Sequence, residues 1–340
     1  FGLTWSSIES VILTPGLTSQ TVNLVGDNNE PEVDQNDNFV VYGADVDATL
    51  ISLADLAQNP LYNPTGASVH PDFDVDPDGD NEFFLEINGS TPIGFRNVAY
   101  LNAFGDDQNP PPGTPSEGPN DIDTLDVRPY ADNTPTGWGI DVRFDEGNPV
   151  QDDGEQADLL IYRTSMYGGA VSENIVIAPA GPEAGELQVT NGAFGTPIVD
   201  ISYVNNLDII VLDDDGFASD TDTLTMLGTD PDNVGTSGRE LITANFTNDG
   251  SLAEPLVVVE DLENLVTPIL YRVRDIQGFD TVNIDALGGV DFVEVTGRDD
   301  GSLEINVAGG DTLNLPGTAD GSDDFVVLPG ASDDAGTALV

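Results

Sequence analysis

Cysteine is absent, lysine is absent and histidine occurs once. Without cysteine the chain makes neither disulfides nor thiolate metal sites. Without lysine it has no Lys–Asn isopeptide cross-link and no lysine-bearing phosphate loop. All eight basic residues are arginine, set against 62 acidic residues for a net charge of −54. So large a negative excess excludes nucleic acid, which is bound through several Lys/Arg phosphate contacts, and repels anionic lipid. The lone histidine, His70, stands beside Pro71 in a loop, and no Gly-x-Ser-x-Gly elbow exists for it to serve. No apolar run approaches the roughly 18 residues of a membrane span, so membrane insertion is not expected. Phe1–Leu13 lacks the basic, apolar and small-residue layout of a signal peptide. The chain therefore reads as a processed form or as a segment of a longer polypeptide.

What is present is 39% hydrophobic residues in short, regular runs. Examples are Asn38–Tyr42, Phe83–Ile87, Thr124–Val127, Ile140–Phe144, Leu159–Tyr162, Ile198–Tyr203, Thr223–Leu227, Ile269–Val273 and Phe292–Val295. Each has the length and the β-branched or aromatic content of a strand, and Gly, Pro, Asn and Asp cluster between them as turns. Helical periodicity is confined to Thr49–Gln58. The expected class is all-β. Such a chain folds against strong self-repulsion. Bound divalent cations offset it, or external salt screens it, over about 3 Å at 1 M. Either remedy points to a cation-rich extracellular or cell-surface setting.

Two phrases recur. The first is Ile8–Leu13, Phe95–Leu101, Asn206–Leu212 and Ile276–Val282. The second is Asp37-Asn38-Phe39-Val40-Val41, then Asp123-Thr124-Leu125-Asp126-Val127, Asp222-Thr223-Leu224-Thr225-Met226 and Asp291-Phe292-Val293-Glu294-Val295. They divide the chain into four unequal units, residues 1–92, 93–197, 198–266 and 267–340. The Pro-rich Asn109–Asn120 segment is one of the long loops that account for the inequality. Strands of the last unit start near Asp280, Asp291, Ser302, Asp311 and Asp324, a rhythm that suits a repetitive β-solenoid or β-helix-like array. Tandem β-sandwich modules are the alternative.

The phrases Gly288-Gly289-Val290-Asp291-Phe292-Val293-Glu294-Val295, Gly309-Gly310-Asp311-Thr312-Leu313-Asn314-Leu315 and Gly321-Ser322-Asp323-Asp324-Phe325-Val326-Val327 carry a resemblance. In them the chain resembles the secreted β-strand-repeat surface proteins of planctomycetes and other marine bacteria, which border on haemolysin-type calcium-binding repeat adhesins. No complete Gly-Gly-x-Gly-x-Asp element occurs. The resemblance implies a long, secreted, repetitive surface protein.

The sharpest local motif is Asp72-Phe73-Asp74-Val75-Asp76-Pro77-Asp78-Gly79-Asp80-Asn81-Glu82. Alternate carboxylates about a tight glycine bend supply the converging oxygens that Ca2+ requires. Leu85 stands where an EF-hand-type loop has its bidentate glutamate, so the full EF-hand is excluded. The expected ligands are Asp72, Asp74, Asp76, Asp78, Asp80 and Glu82. A second acidic loop offers Asp213, Asp215, Asp220 and Asp222, and a third offers Asp106 and Asp107. Turns favour aspartate in any case, which is the plainer reading of all three. No catalytic residue is expected, because carboxylate pairs at glycosidase separation arise by chance in so acidic a chain. Trp5 and Trp138 are as well suited to packing as to a glycan platform, and Asn88 and Asn245 head glycosylation sequons. The expected function is a non-enzymatic structural segment of an extracellular fibre or sheath, a self-associating homopolymer stabilised by calcium. The alternatives are a carbohydrate-binding adhesin module, an S-layer-like protein of a halophile, and a polysaccharide-degrading β-helix enzyme.

Overall fold

The computed structural model describes residues 11–13, 20–25, 37–43, 83–88, 93–95, 98–104, 123–129, 138, 140–145, 158–163, 171–181, 184–204, 209–213, 221–229, 239–246, 256–263, 269–274, 276, 279–287, 291–296, 304–309, 312–315, 326–329 and 336–339. Among them there is no helix. Thr49–Gln58 and the loop Asp72–Glu82 lie outside the described residues.

Alternation of apolar and polar residues makes each run amphipathic with period two, and the chain buries the apolar side by passing back and forth between two sheets. Strand β1 (Val11–Leu13) lies in the first sheet and β2 (Gln20–Val25) in the second. Strands β3 (Asn38–Gly43), β4 (Phe83–Ile87) and β5 (Ile93–Phe95) return to the first as a meander. Then β6 (Val98–Phe104), β7 (Thr124–Arg128), β8 (Ile140–Asp145) and β9 (Leu159–Arg163) alternate, starting in the second sheet. A second meander, β10 (Glu173–Gly181), β11 (Ala184–Asn191) and β12 (Pro197–Val204), lies in the second sheet. After β13 (Ile209–Asp213) in the first and β14 (Thr223–Leu227) in the second, β15 (Glu240–Asn245), β16 (Leu256–Asp261) and β17 (Ile269–Arg274) form a third meander in the first. Strands β18 (Thr281–Asp285), β19 (Phe292–Thr296), β20 (Glu304–Ala308) and β21 (Thr312–Asn314) alternate again. Strands β22 (Val326–Pro329) and β23 (Gly336–Leu339) pair only with each other.

The first sheet has the order β1-β5-β4-β3-β7-β9-β13-β17-β16-β15-β19-β21, and the second β2-β6-β8-β12-β11-β10-β14-β18-β20. Neighbours in both are parallel except at β4, β11 and β16, the middle strands of the meanders. Each meander is laid down ahead of the winding and folds back to meet it. Thus β3 leaves a gap that β4 and β5 fill, and β7 then pairs with β3 in parallel. The class is all-β, with three reversed strands interrupting the parallel winding. Ladders join strands on either side of residues 92, 197 and 266, as in β3–β7, β9–β13 and β13–β17.

The inner faces of both sheets feed one core. Phe39, Val127, Leu160, Tyr162, Ile210 and Val273 come from the first sheet, and Leu101, Phe144, Ile177, Leu187, Ile201 and Met226 from the second. Burial of each such side chain contributes roughly 1.5–3 kcal/mol. Trp138 is also in this core, 2% exposed, which takes it out of reach of a glycan. Gly185 lets β11 pass over Tyr203. A Cβ there would stand 2.4 Å from the Ala178 carbonyl oxygen and 2.5 Å from the Tyr203 Oη.

Candidate functional site

The residue just before an apolar run opens a parallel strand, and its N–H points toward the next strand before the regular ladder has begun. Left bare in the interior, such a donor costs about 1–3 kcal/mol. Here an acidic side chain meets it, strand after strand. In the first sheet the Asp37 N–H donates to Asp123 Oδ1 at 2.9 Å and the Asp123 N–H to Asp158 Oδ1 at 2.7 Å. The Glu240 N–H donates to Asp291 Oδ1 at 3.0 Å. In the second sheet the Glu173 N–H donates to Asp222 Oδ1 at 2.7 Å and the Asp222 N–H to Asp280 Oδ2 at 3.1 Å. The backbone answers in the other direction: the Thr124, Leu159, Thr281 and Thr312 N–H groups donate to the carbonyls of Asp37, Asp123, Asp222 and Asp291. The junctions Asp37–Asp123, Asp123–Asp158 and Asp222–Asp280 are thus each closed by one bond from the main chain and one to a carboxylate.

These carboxylates are deeply buried, with Asp37 2%, Asp123 3%, Asp222 3% and Asp291, Glu173 and Glu240 0% exposed. In a chain without lysine, backbone N–H groups stabilise the buried charge, as dipoles do at a helix N-cap. Aspartate suits the position because its short arm reaches one strand spacing and no further.

The three meanders carry an elaborated version. At the first, the Asn88 Nδ2 donates to Asp37 Oδ1 and the Asn38 N–H to Asn88 Oδ1, both at 2.8 Å. Asn88 adopts φ 50, which its short polar side chain tolerates, and it is thereby engaged in the framework. At the second, Glu173 lies opposite Asn191 and accepts the Tyr162 hydroxyl at 2.8 Å on Oε2. Burial, then the Glu173 charge and hydrogen bond, push the Tyr162 pKa well above its ordinary value. At the third, Glu240 lies opposite Asp261, and its Oε2 accepts the Thr229 N–H at 3.0 Å. The Thr229 hydroxyl also bonds Glu240 Oε1. Where the other meanders have an amide, this one has a third carboxylate. Burial first, and then the charges of Asp291 and Asp261, raise Glu240 to about 7 against the opposing pull of the Thr229 N–H.

Of the predicted calcium ligands, Asp213 and Asp222 fall on described residues. Asp213 closes β13 opposite Arg163, and Asp222 spends Oδ1 on the Glu173 N–H. Asp72, Asp74, Asp76, Asp78, Asp80, Glu82, Asp106, Asp107, Asp215 and Asp220 lie outside the described residues. Among the described residues no three His, Cys, Asp or Glu side chains converge as a metal would require. The ladder itself was partly visible in sequence, since Asp37, Asp123, Asp222 and Asp291 each open a second phrase. Their acceptor role was not. Comparison of the chain with protein-family models, with curated proteins and with solved structures gives no significant match.

Proposed function

We propose that this chain is a structural segment of an extracellular fibre or sheath, non-enzymatic, self-associating and stabilised by calcium held in its acidic loops. The observation that carries the reading is the buried carboxylate ladder. Its acids are committed to joining one strand to the next, so a feature that would serve acid–base chemistry in an active site serves as framework here. The same junction recurs along two sheets of 12 and 9 strands, a construction suited to length. The excess of surface acid suits a cation-rich medium outside the cell. Negative-stain micrographs of the purified native material test the reading. Filaments or extended sheets are expected, and a field of uniform, separate particles at all concentrations overturns it.

A further inference from the structure

The outer faces of the two sheets differ sharply in charge. Alternation along the strands sends Leu125, Val127, Leu160, Tyr162, Tyr271 and Val273 into the core, so Arg128, Arg163, Arg272 and Arg274 stand on the outer face of the first sheet. Half of the chain's eight basic residues thus gather on β7, β9 and β17, with only β13 intervening, across about 15 Å. Arg128 and Arg163 share one carboxylate, Asp126, which is bound by Arg128 Nη2 at 2.5 Å and by Arg163 Nε at 3.1 Å. Asp213 pairs in register with Arg163, and Glu260 stands on the same face of β16, so four arginines meet three acids here, a local positive excess in a chain of net charge −54. Half-buried Ile161 and Val211 lie among the arginines and Val258 flanks Arg272, an aliphatic and arginine mixture of the kind enriched in protein contacts.

The second sheet is the opposite. Its outer face presents exposed Asp141, Glu186 and Asp200 on the neighbouring strands β8, β11 and β12, across about 10 Å. Asp200 stands directly beside Asp141 in the parallel register. Burial, then the charges of Asp141 and Glu186, raise the Asp200 pKa, as expected where acids crowd together. Arg143 on the same face is paired with Asp145 at 3.1 Å.

We propose that the arginine-bearing outer face of the first sheet binds the acidic outer face of the second sheet on another copy of this chain. The occupant is a second copy because the matching surface is on the chain itself, with opposite sign and similar extent. Within a net charge of −54, this patch of the described residues offers a like-charged copy attraction in place of repulsion. The contact joins two different surfaces, so it does not close on itself and each copy keeps one free face for the next. This inference rests on the fibre reading and supplies its lateral contact.

Two variants test it by sedimentation velocity under conditions in which the native chain assembles. Arg272→Gln/Arg274→Gln disables the first face, and Glu186→Gln/Asp200→Asn the second. Each alone is expected to associate at least tenfold more weakly than the native chain, with unchanged circular dichroism. An equimolar mixture retains one intact face of each kind and is expected to stop at dimers. Variants that assemble like the native chain, or a mixture that stays monomeric, overturn the interface but leave the fibre reading standing. A native chain that is monomeric throughout overturns the fibre reading itself. Retention of that monomer on a sulfated polysaccharide, lost on Arg272→Gln/Arg274→Gln, assigns the face to a polyanion and overturns the contact between copies. Should a variant fail to fold, phenylglyoxal footprinting of the native chain decides. Arg272 and Arg274 are expected to lose reactivity several-fold on assembly, with Arg239 unchanged, and equal reactivity in both states overturns the proposal.

Discussion

Glu240 shows how one side chain changes the behaviour of a repeated junction. Asn88 and Asn191 stand beside the acid at the first two meanders, and neither adds charge. Asp261 replaces them at the third, and burial above all, then the charges of Asp291 and Asp261, raises Glu240 to about 7. An ordinary glutamate in the unfolded chain titrates near 4.5, so the folded state holds the proton more tightly. The stability this proton contributes is fully present below about 4.5 and is lost as pH rises from there to about 7, beyond which Glu240 adds no further slope. Glu240→Gln removes that segment of the pH profile. The check is the difference in melting temperature between native chain and variant, followed across this range. A native profile that Glu240→Gln leaves unaltered would contradict the assignment. The sequence offers no hint of this behaviour, because the three acids lie 21 and 30 positions apart and meet only through the strand pairing.

At the scale of elements, the carboxylate ladder makes a sharper claim than strand burial alone. Asp123 links β7 to β3 by accepting the Asp37 N–H in the interior. Asp123→Ala leaves that donor without its acceptor and is expected to cost about 1–3 kcal/mol in denaturant unfolding. Asp123→Asn retains an oxygen at the same reach and is expected to lose less than the alanine variant. Equal losses from both would show that the carbonyl geometry is irrelevant. Much at this scale was legible beforehand. Phe83–Ile87 and Thr223–Leu227 form strands with the expected bounds, because each is a short run of aromatic, β-branched and aliphatic residues bounded by turn residues. Strands β2 and β5 were not anticipated. In β5 the three residues Ile93, Gly94 and Phe95 are too few to show a period, and in β2 Thr21 and Asn23 dilute the apolar signal. The reversals at β4, β11 and β16 are also invisible in sequence. A strand reads alike in either direction, and only its distant partners decide which way it runs.

For the whole molecule, the proposed calcium and the proposed lateral contact act on the same charge. Removing cations with EDTA in low salt is expected to lower the melting temperature and loosen assemblies, since the carboxylates would then repel one another unscreened. A melting temperature unchanged by the chelator would remove calcium from the proposal while leaving the arginine face intact. The long-range order of strands, with meanders set down ahead and filled backwards, was beyond what repeat spacing conveys. The all-β class was not, because turn residues and period-two runs persist through the chain.

The direction of the carboxylate ladder has one more consequence. At every junction the donor N–H belongs to the earlier strand and the acceptor side chain to the later one: Asp37 waits for Asp123, Asp123 for Asp158, Glu173 for Asp222, Asp222 for Asp280 and Glu240 for Asp291. During synthesis or export, where the N-terminal part emerges first, none of these five donors meets its carboxylate among residues already released, although the carbonyls of Asp37, Asp123 and Asp222 already stand ready for the later N–H groups. Each donor stays a debt carried forward, discharged only when the succeeding turn of the chain arrives.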